Sequence, residues 1–169
     1  MKTYYRLILG SKSKYADECF KGNFVGVDFG IHQDLSGRFH DTWRDFNEEF
    51  IPVYLENHPD KNKIAAGLAC ATIWLVSKYL KNGDIVICPN GSGSYMVGEI
   101  SGDYSYQHDQ ILPHRRPVKW YPNLIERSAM SEALRNSTGA IGTYCDITKY
   151  TEEIEMLIGG TKPPVIIST

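Results

Sequence analysis

Ile85-Val86-Ile87-Cys88-Pro89-Asn90-Gly91-Ser92-Gly93-Ser94-Tyr95-Met96-Val97-Gly98-Glu99-Ile100 is the stretch that decides the fold. Its first four residues form the unbroken apolar run of a buried strand. Residues 89–93 supply turn chemistry, with Asn90-Gly91 suited to positive φ, and residues 94–100 return as a second strand. Upstream, residues 4–9 read as a first strand stopped by Gly10-Ser11-Lys12-Ser13. Ser13 caps a short helix to Phe20, and Gly22-Asn23 ends it. Residues 23–29 read as another strand, in which Gly26 marks a bulge or a close backbone approach.

Between these β segments lie two helices. Asp41 or Thr42 caps the first, which Pro52 is expected to interrupt and Asn57-His58-Pro59 to end. The second spans about residues 61–80, with Ile64, Leu68, Ala71, Leu75 and Tyr79 read as a buried stripe. Downstream come a polar aromatic loop (102–112), a strand from His114 to Trp120, a helical region (123–136), a last strand (141–147) and a helix (151–158). The fold class is α+β: a small twisted β-sheet or barrel with a helical insertion and its helices on one side.

The chain has 169 residues, 42% hydrophobic and 22% charged, ordinary proportions for one globular domain. The apolar run 64–76 is too short to cross a membrane, and the N-terminus lacks the apolar core of a signal peptide. Four cysteines (Cys19, Cys70, Cys88, Cys145) without a CxxC pair suggest buried thiols in a reducing cytoplasm. A net charge of −2 conceals basic segments at 2–21 and 112–136 and an acidic one at 41–60, an arrangement compatible with a local anion-binding face.

The chain offers little to catalysis. It has no Glu-x-Lys pair for a metal-dependent nuclease, no HxH or HxxxH pair, no Walker loop and no Gly-x-Ser-x-Gly elbow. We therefore expect no catalytic residues, no metal and no cofactor. Binding fares better. Tyr104 and Tyr106 follow the strand ending near Ile100, and Phe29 ends another. Such rings either pack on the sheet or stack an unpaired base.

The block from Pro89 to Ile100 resembles the strand–turn–strand of YTH domains, in which an Asn-Gly-Ser-Gly turn precedes an aromatic and a Gly/Ala-Glu pair. The order of first strand, Lys-Ser-bearing loop, short helix and second strand is also similar. More closely, the chain resembles EVE-like modules of the PUA superfamily found in bacterial modification-dependent restriction proteins. There a Gly-Ile-Gly-Trp-like strand end precedes an Asp-Leu; here Val25-Gly26-Val27-Asp28-Phe29-Gly30 precedes Asp34-Leu35. The blocks 83–87, 114–120 and 131–145 add to the likeness, which covers residues 4–158.

The resemblance implies a domain over 1–158 that binds a methylated or otherwise modified base of DNA, flipped into an aromatic pocket, as the specificity module of a restriction system. Residues 159–169 would then lead toward a nuclease or motor domain outside this sequence. Phe29, Tyr104 and Tyr106 are the implied cage, with Asp28, Ser11, Ser13 and Asn90 placed to read the base edge. Lys12, Lys14, Arg115 and Arg116 are candidates for phosphate, although Arg115 and Arg116 alternate across a strand and at most one faces a given phosphate. Duller roles stand beside these: a turn for Asn90 and Asp28, and core packing for Trp74 and Trp120. A modified-RNA reader of the same fold and a protein adaptor using the acidic helix around Trp43 are the alternatives.

Overall fold

A computed structural model describes residues 2–159, so the expected tail over 159–169 lies outside the described residues except for Gly159. The strands are β1 (Tyr4–Leu7), β2 (Phe24–Val27), β3 (Ile85–Pro89), β4 (Ser94–Ile100), β5 (Ser105–Tyr106), β6 (His114–Trp120), β7 (Ile125–Glu126) and β8 (Tyr144–Asp146). The hairpin expected over 85–100 is present, Ile87 opposite Val97, with its turn closed by Ser92 and Ser94 N–H groups donating to Asn90 Oδ1. It anchors one mixed sheet of order β2-β6-β4-β3-β1-β8, with β5 added to β6 and β7 to β4. Only β1 and β3 run parallel. The sheet curls into a half-barrel flanked by helices, so the α+β class and the small twisted sheet stand.

The helices are α1 (Ala16–Gly22), α2 (Trp43–Asn57), α3 (Lys63–Trp74), α4 (Glu132–Thr138) and α5 (Thr151–Ile158). They cover both faces, which corrects the expected one-sided arrangement. β1, β3 and β4 are buried on both sides of the pleat, so each side needs a cover. Tyr5, Leu7 and Val86 pack with Phe46 and Phe50 of α2 and with Ala69 and Ile73 of α3. Tyr4, Ile85 and Ile87 pack with Leu134 of α4 and Ile154 of α5.

Two helix details also differ from expectation. Thr42 caps α2, its Oγ1 accepting from Asp45 N–H, but Pro52 is exposed inside an unbroken helix. The bond that Pro52 cannot make lies on the exposed side of the helix, and α2 continues through it. Part of the stripe read as buried faces outward: Ile64 is 75% and Leu68 66% exposed, while Leu75 just beyond α3 is buried as read, together with Ala66, Ala69, Cys70 and Ile73. A helix apolar all round gives periodicity no face to choose, and the small residues let α3 approach its neighbours closely. The outward stripe lines a groove of ≈ 590 Å³ with Trp43, Trp74 and Tyr79.

Gly26 shows the close approach read from its sequence. A Cβ there would lie 2.8 Å from Leu112 O and 2.9 Å from His114 O, so only glycine lets β2 sit against β6. On the other flank, Arg6 is 2% exposed and points into the 138–142 segment. Its guanidinium donates to the carbonyls of Thr138 (3.0 Å), Ala140 (2.8 Å) and Gly142 (2.6 Å). A buried cation thus fixes the chain just before β8.

Candidate functional site

The ends of β1 and β2 come to a shared cleft of ≈ 530 Å³. One side is the loop after β1, contributing Gly10, Ser11, Lys12, Lys14 and Tyr15. The second is the end of β2 with Asp28 and Phe29, and Gly142 and Thr143 before β8 form a third. Ile8 N–H donates to Thr143 O (2.8 Å), which holds the first and third sides together.

The local backbone explains how these side chains are presented. Gly10, Lys12, Ser13, Phe29 and Gly30 all have positive φ, between 56° and 79°. For non-glycine residues this conformation is disfavoured and persists where surrounding structure enforces it, commonly at binding sites. Gly10 is obligatory here: a Cβ would lie 2.5 Å from the Tyr15 ring. At the second side, Asp28 Oδ1 accepts from Gly30 N–H (3.0 Å) and contacts His32 Nε2 (3.1 Å), which orders the turn that carries Phe29.

Of the residues singled out in the sequence, Ser11, Lys12, Lys14, Asp28 and Phe29 therefore meet in one cleft. Ser13 belongs to the same loop but does not line it. Lys12 and Lys14 are exposed, and the Lys14 ammonium lies 4.9 Å from the Tyr15 ring centre.

The remaining candidates are elsewhere, and their surroundings give the reason. Tyr104 is packed edge-on to Phe39 (4.8 Å), and burial pushes its hydroxyl up to about 12. That hydroxyl accepts from Leu35 N–H (3.2 Å) and donates to His114 Nδ1 (2.8 Å). His114, fully buried, donates from Nε2 to Ile31 O (2.6 Å), and desolvation holds its pKa below the ordinary value. Tyr106 sits on β5 against the His114 ring (5.3 Å). Tyr104 thus ties the 31–35 loop to β6, Tyr106 packs on His114, and neither lines the cleft; the second ring there is Tyr15.

Neither arginine is free for phosphate. Arg116 is 5% exposed, and its guanidinium donates to Gly102 O (2.7 Å), Leu80 O (2.5 Å), Val76 O (3.3 Å) and Asn82 Oδ1 (3.3 Å). It caps the turn that follows α3, so its assignment to phosphate is corrected. Arg115 lies 3.8 Å over the Phe24 ring and donates to Leu112 O and Ile111 O. Asn90 is occupied by its own turn. Trp120 covers Gly98 and donates to Cys19 O (3.1 Å), and Trp74 donates to Phe39 O (2.8 Å); both are packing residues.

Among the described residues no group of three His, Cys, Asp or Glu side chains is placed to hold a metal ion, and no helix is long and apolar enough to cross a membrane. Cys19, Cys70 and Cys88 are buried and Cys145 half-buried, all unpaired, and burial pushes the Cys19 and Cys70 thiols up to about 12. Thiols so far from ionising are poor nucleophiles.

Sequence reading missed Tyr15, Gly142 and Thr143. Tyr15 was not marked in the sequence, because the packing of its ring on Gly10 arises only in the fold. Gly142 and Thr143 reach the cleft only through β1–β8 pairing, for which the chain gives no local cue. Comparison with curated proteins yields no match. One family model does match, over residues 5–143, a span that includes every residue lining the cleft. The chain belongs to the family described as Domain of unknown function (DUF8426).

Proposed function

We propose that the cleft takes a single modified base of DNA, and that the chain is a PUA-like reader of the EVE/YTH type serving as the specificity module of a restriction system. One observation carries this reading. Two loops singled out from separate parts of the sequence, 11–14 and 28–29, are opposite contributors to one cleft and bring to it two cations, a carboxylate and an aromatic ring.

The physical requirements of base reading match that lining. Small-molecule sites run to roughly 300–1,000 Å³, and this cleft falls inside that range. Extruding a paired base costs a few kcal/mol. Stacking returns about 1–3 kcal/mol per ring, so Phe29 and Tyr15 together offset extrusion. A buried methyl adds only about 0.8 kcal/mol, which leaves discrimination to groups that fit one base edge. Asp28 and Ser11 are those groups here. Lys12 and Lys14 suit the backbone phosphates, which position a strand without specifying it.

A panel of modified and unmodified DNA and RNA oligonucleotides tests the reading. Preference for a modified DNA oligonucleotide, weakening steeply with salt, supports it. Preference for RNA transfers it to the modified-RNA alternative, in which the 2′-hydroxyl contributes. No nucleic-acid binding at low salt leaves the adaptor reading, with the apolar α2–α3 groove as its surface.

A further inference from the structure

The segment over 28–33 has two sides. Its Asp28–Phe29 end lines the cleft, while Gly30, Ile31, His32 and Gln33 line a second pocket of ≈ 460 Å³. Val53, Asn57 and His58, from α2 and its end, line it too. The segment between the two cavities is pinned at both levels. Ile31 O accepts from buried His114, and a Cβ on Gly30 would lie 2.3 Å from the His58 ring.

The chemistry of this pocket differs from that of the cleft. His58 Nδ1 donates to Tyr54 O (2.9 Å), which leaves Nε2 as an acceptor, and the ring stacks on Tyr54 at 4.2 Å. The side-chain amides of Gln33 and Asn57 make no hydrogen bond among the described residues. Each amide offers a donor and an acceptor side by side, the pattern that recognises a base edge bidentately. No lysine or arginine lines the pocket, and the Asp28 carboxylate lies beside His32. Such a site repels phosphate and matches a neutral group that both donates and accepts.

We infer that this pocket is a second subsite, taking the base next to the one held in the cleft. The inference rests on the reading of the cleft given above. Phe29 lines the cleft and the next residue, Gly30, the second pocket, so a strand crossing that peptide places neighbouring bases in the two cavities. The chain then reads sequence context as well as modification, using uncharged amides for context.

The test uses the 169-residue chain and fluorescence anisotropy. The probes are single-stranded oligonucleotides with a central N6-methyladenine or 5-methylcytosine and each of the four bases at each flanking position. The expected result is a preference at one flanking position of about fivefold or more, the range for one bidentate base contact. Gln33→Ala and Asn57→Ala flatten that preference while the modified-to-unmodified ratio and the salt slope stay as in the wild type. Phe29→Ala does the reverse. Asn57→Leu, which keeps shape and loses donor and acceptor without adding charge, gives the same readout if the alanine variant misfolds. A wild type indifferent to flanking bases, or a preference surviving these variants, overturns the subsite alone when the modified-base preference is intact. A wild type without modified-base preference overturns the subsite together with the reading of the cleft.

Discussion

The rim of the cleft and the β5–β6 block hold the same residue types in opposite settings. At the rim, Lys12 and Lys14 are exposed, Phe29 is half-buried, and the backbone holds left-handed conformations. Around β6, Arg116 and His114 are buried, and Tyr104 is packed against His114 and Phe39, with their polar atoms directed at carbonyls, an amide or one another. What separates them is the supply of backbone acceptors. A cation surrounded by carbonyls becomes a structural strut, and one on an open turn remains available to a ligand. Basic and aromatic content therefore identifies a binding face only after those acceptors are counted.

The largest effect expected from this contrast is on stability. Arg116→Met leaves the carbonyls of Gly102 and Leu80 without their donor, at about 1–3 kcal/mol each, so urea denaturation should show a loss of about 3 kcal/mol or more. Lys12→Met should stay within about 0.5 kcal/mol of wild type. Equal losses would break the comparison.

Next in size, Phe29→Ala and Tyr15→Ala should each weaken binding of the modified oligonucleotide by about 1–3 kcal/mol. Tyr104→Phe should cost stability of about 1 kcal/mol, because its hydroxyl joins Leu35 to His114, and should leave the modified-to-unmodified ratio unchanged.

The buried histidine sharpens the comparison through pH. Burial holds His114 below its ordinary value of 6.5 in the folded chain, so just below pH 6.5 the unfolded chain binds the extra proton. The stability tied to neutral His114 is complete above pH 6.5 and is lost as pH falls below it, with a slope of up to about 1.4 kcal/mol per pH unit. Unfolding free energies from pH 7.5 to 5 should show this slope, and His114→Gln should flatten it.

The smallest effect is electrostatic. Lys12→Glu should weaken binding to all oligonucleotides alike and reduce the salt slope by about 1, the signature of one lost phosphate contact. Arg115→Gln should leave that slope unchanged, because its guanidinium already lies on Phe24.

How much of this was legible follows from which signals are local. The β3–β4 hairpin, the Gly26 approach and the Thr42 cap were readable because turn, packing and capping chemistry act over a few residues. The exposed face of α3 was not, since an all-apolar helix carries no directional pattern. Two sides of the cleft were legible in part, through Ser11, Lys12, Lys14, Asp28 and Phe29 in the segments that follow β1 and β2. Arg116 was misassigned because its acceptors, Val76 O and Leu80 O, belong to the turn after α3, which only the tertiary fold brings beside β6. Tyr104 lies away from the cleft for the same reason: its partner His114 meets it across β5–β6 pairing.

Entry of a modified base into the cleft between the loops after β1 and β2 can be followed residue by residue, by titrating the ¹⁵N-labelled chain with a methylated oligonucleotide and recording backbone amide shifts. The largest shifts are expected at residues 11–15, 26–29 and 142–143, with little change at Arg115, Arg116 or Tyr104. Shifts concentrated instead at Trp43, Ile64, Leu68 and Tyr79, or none with oligonucleotide in excess, would contradict entry there.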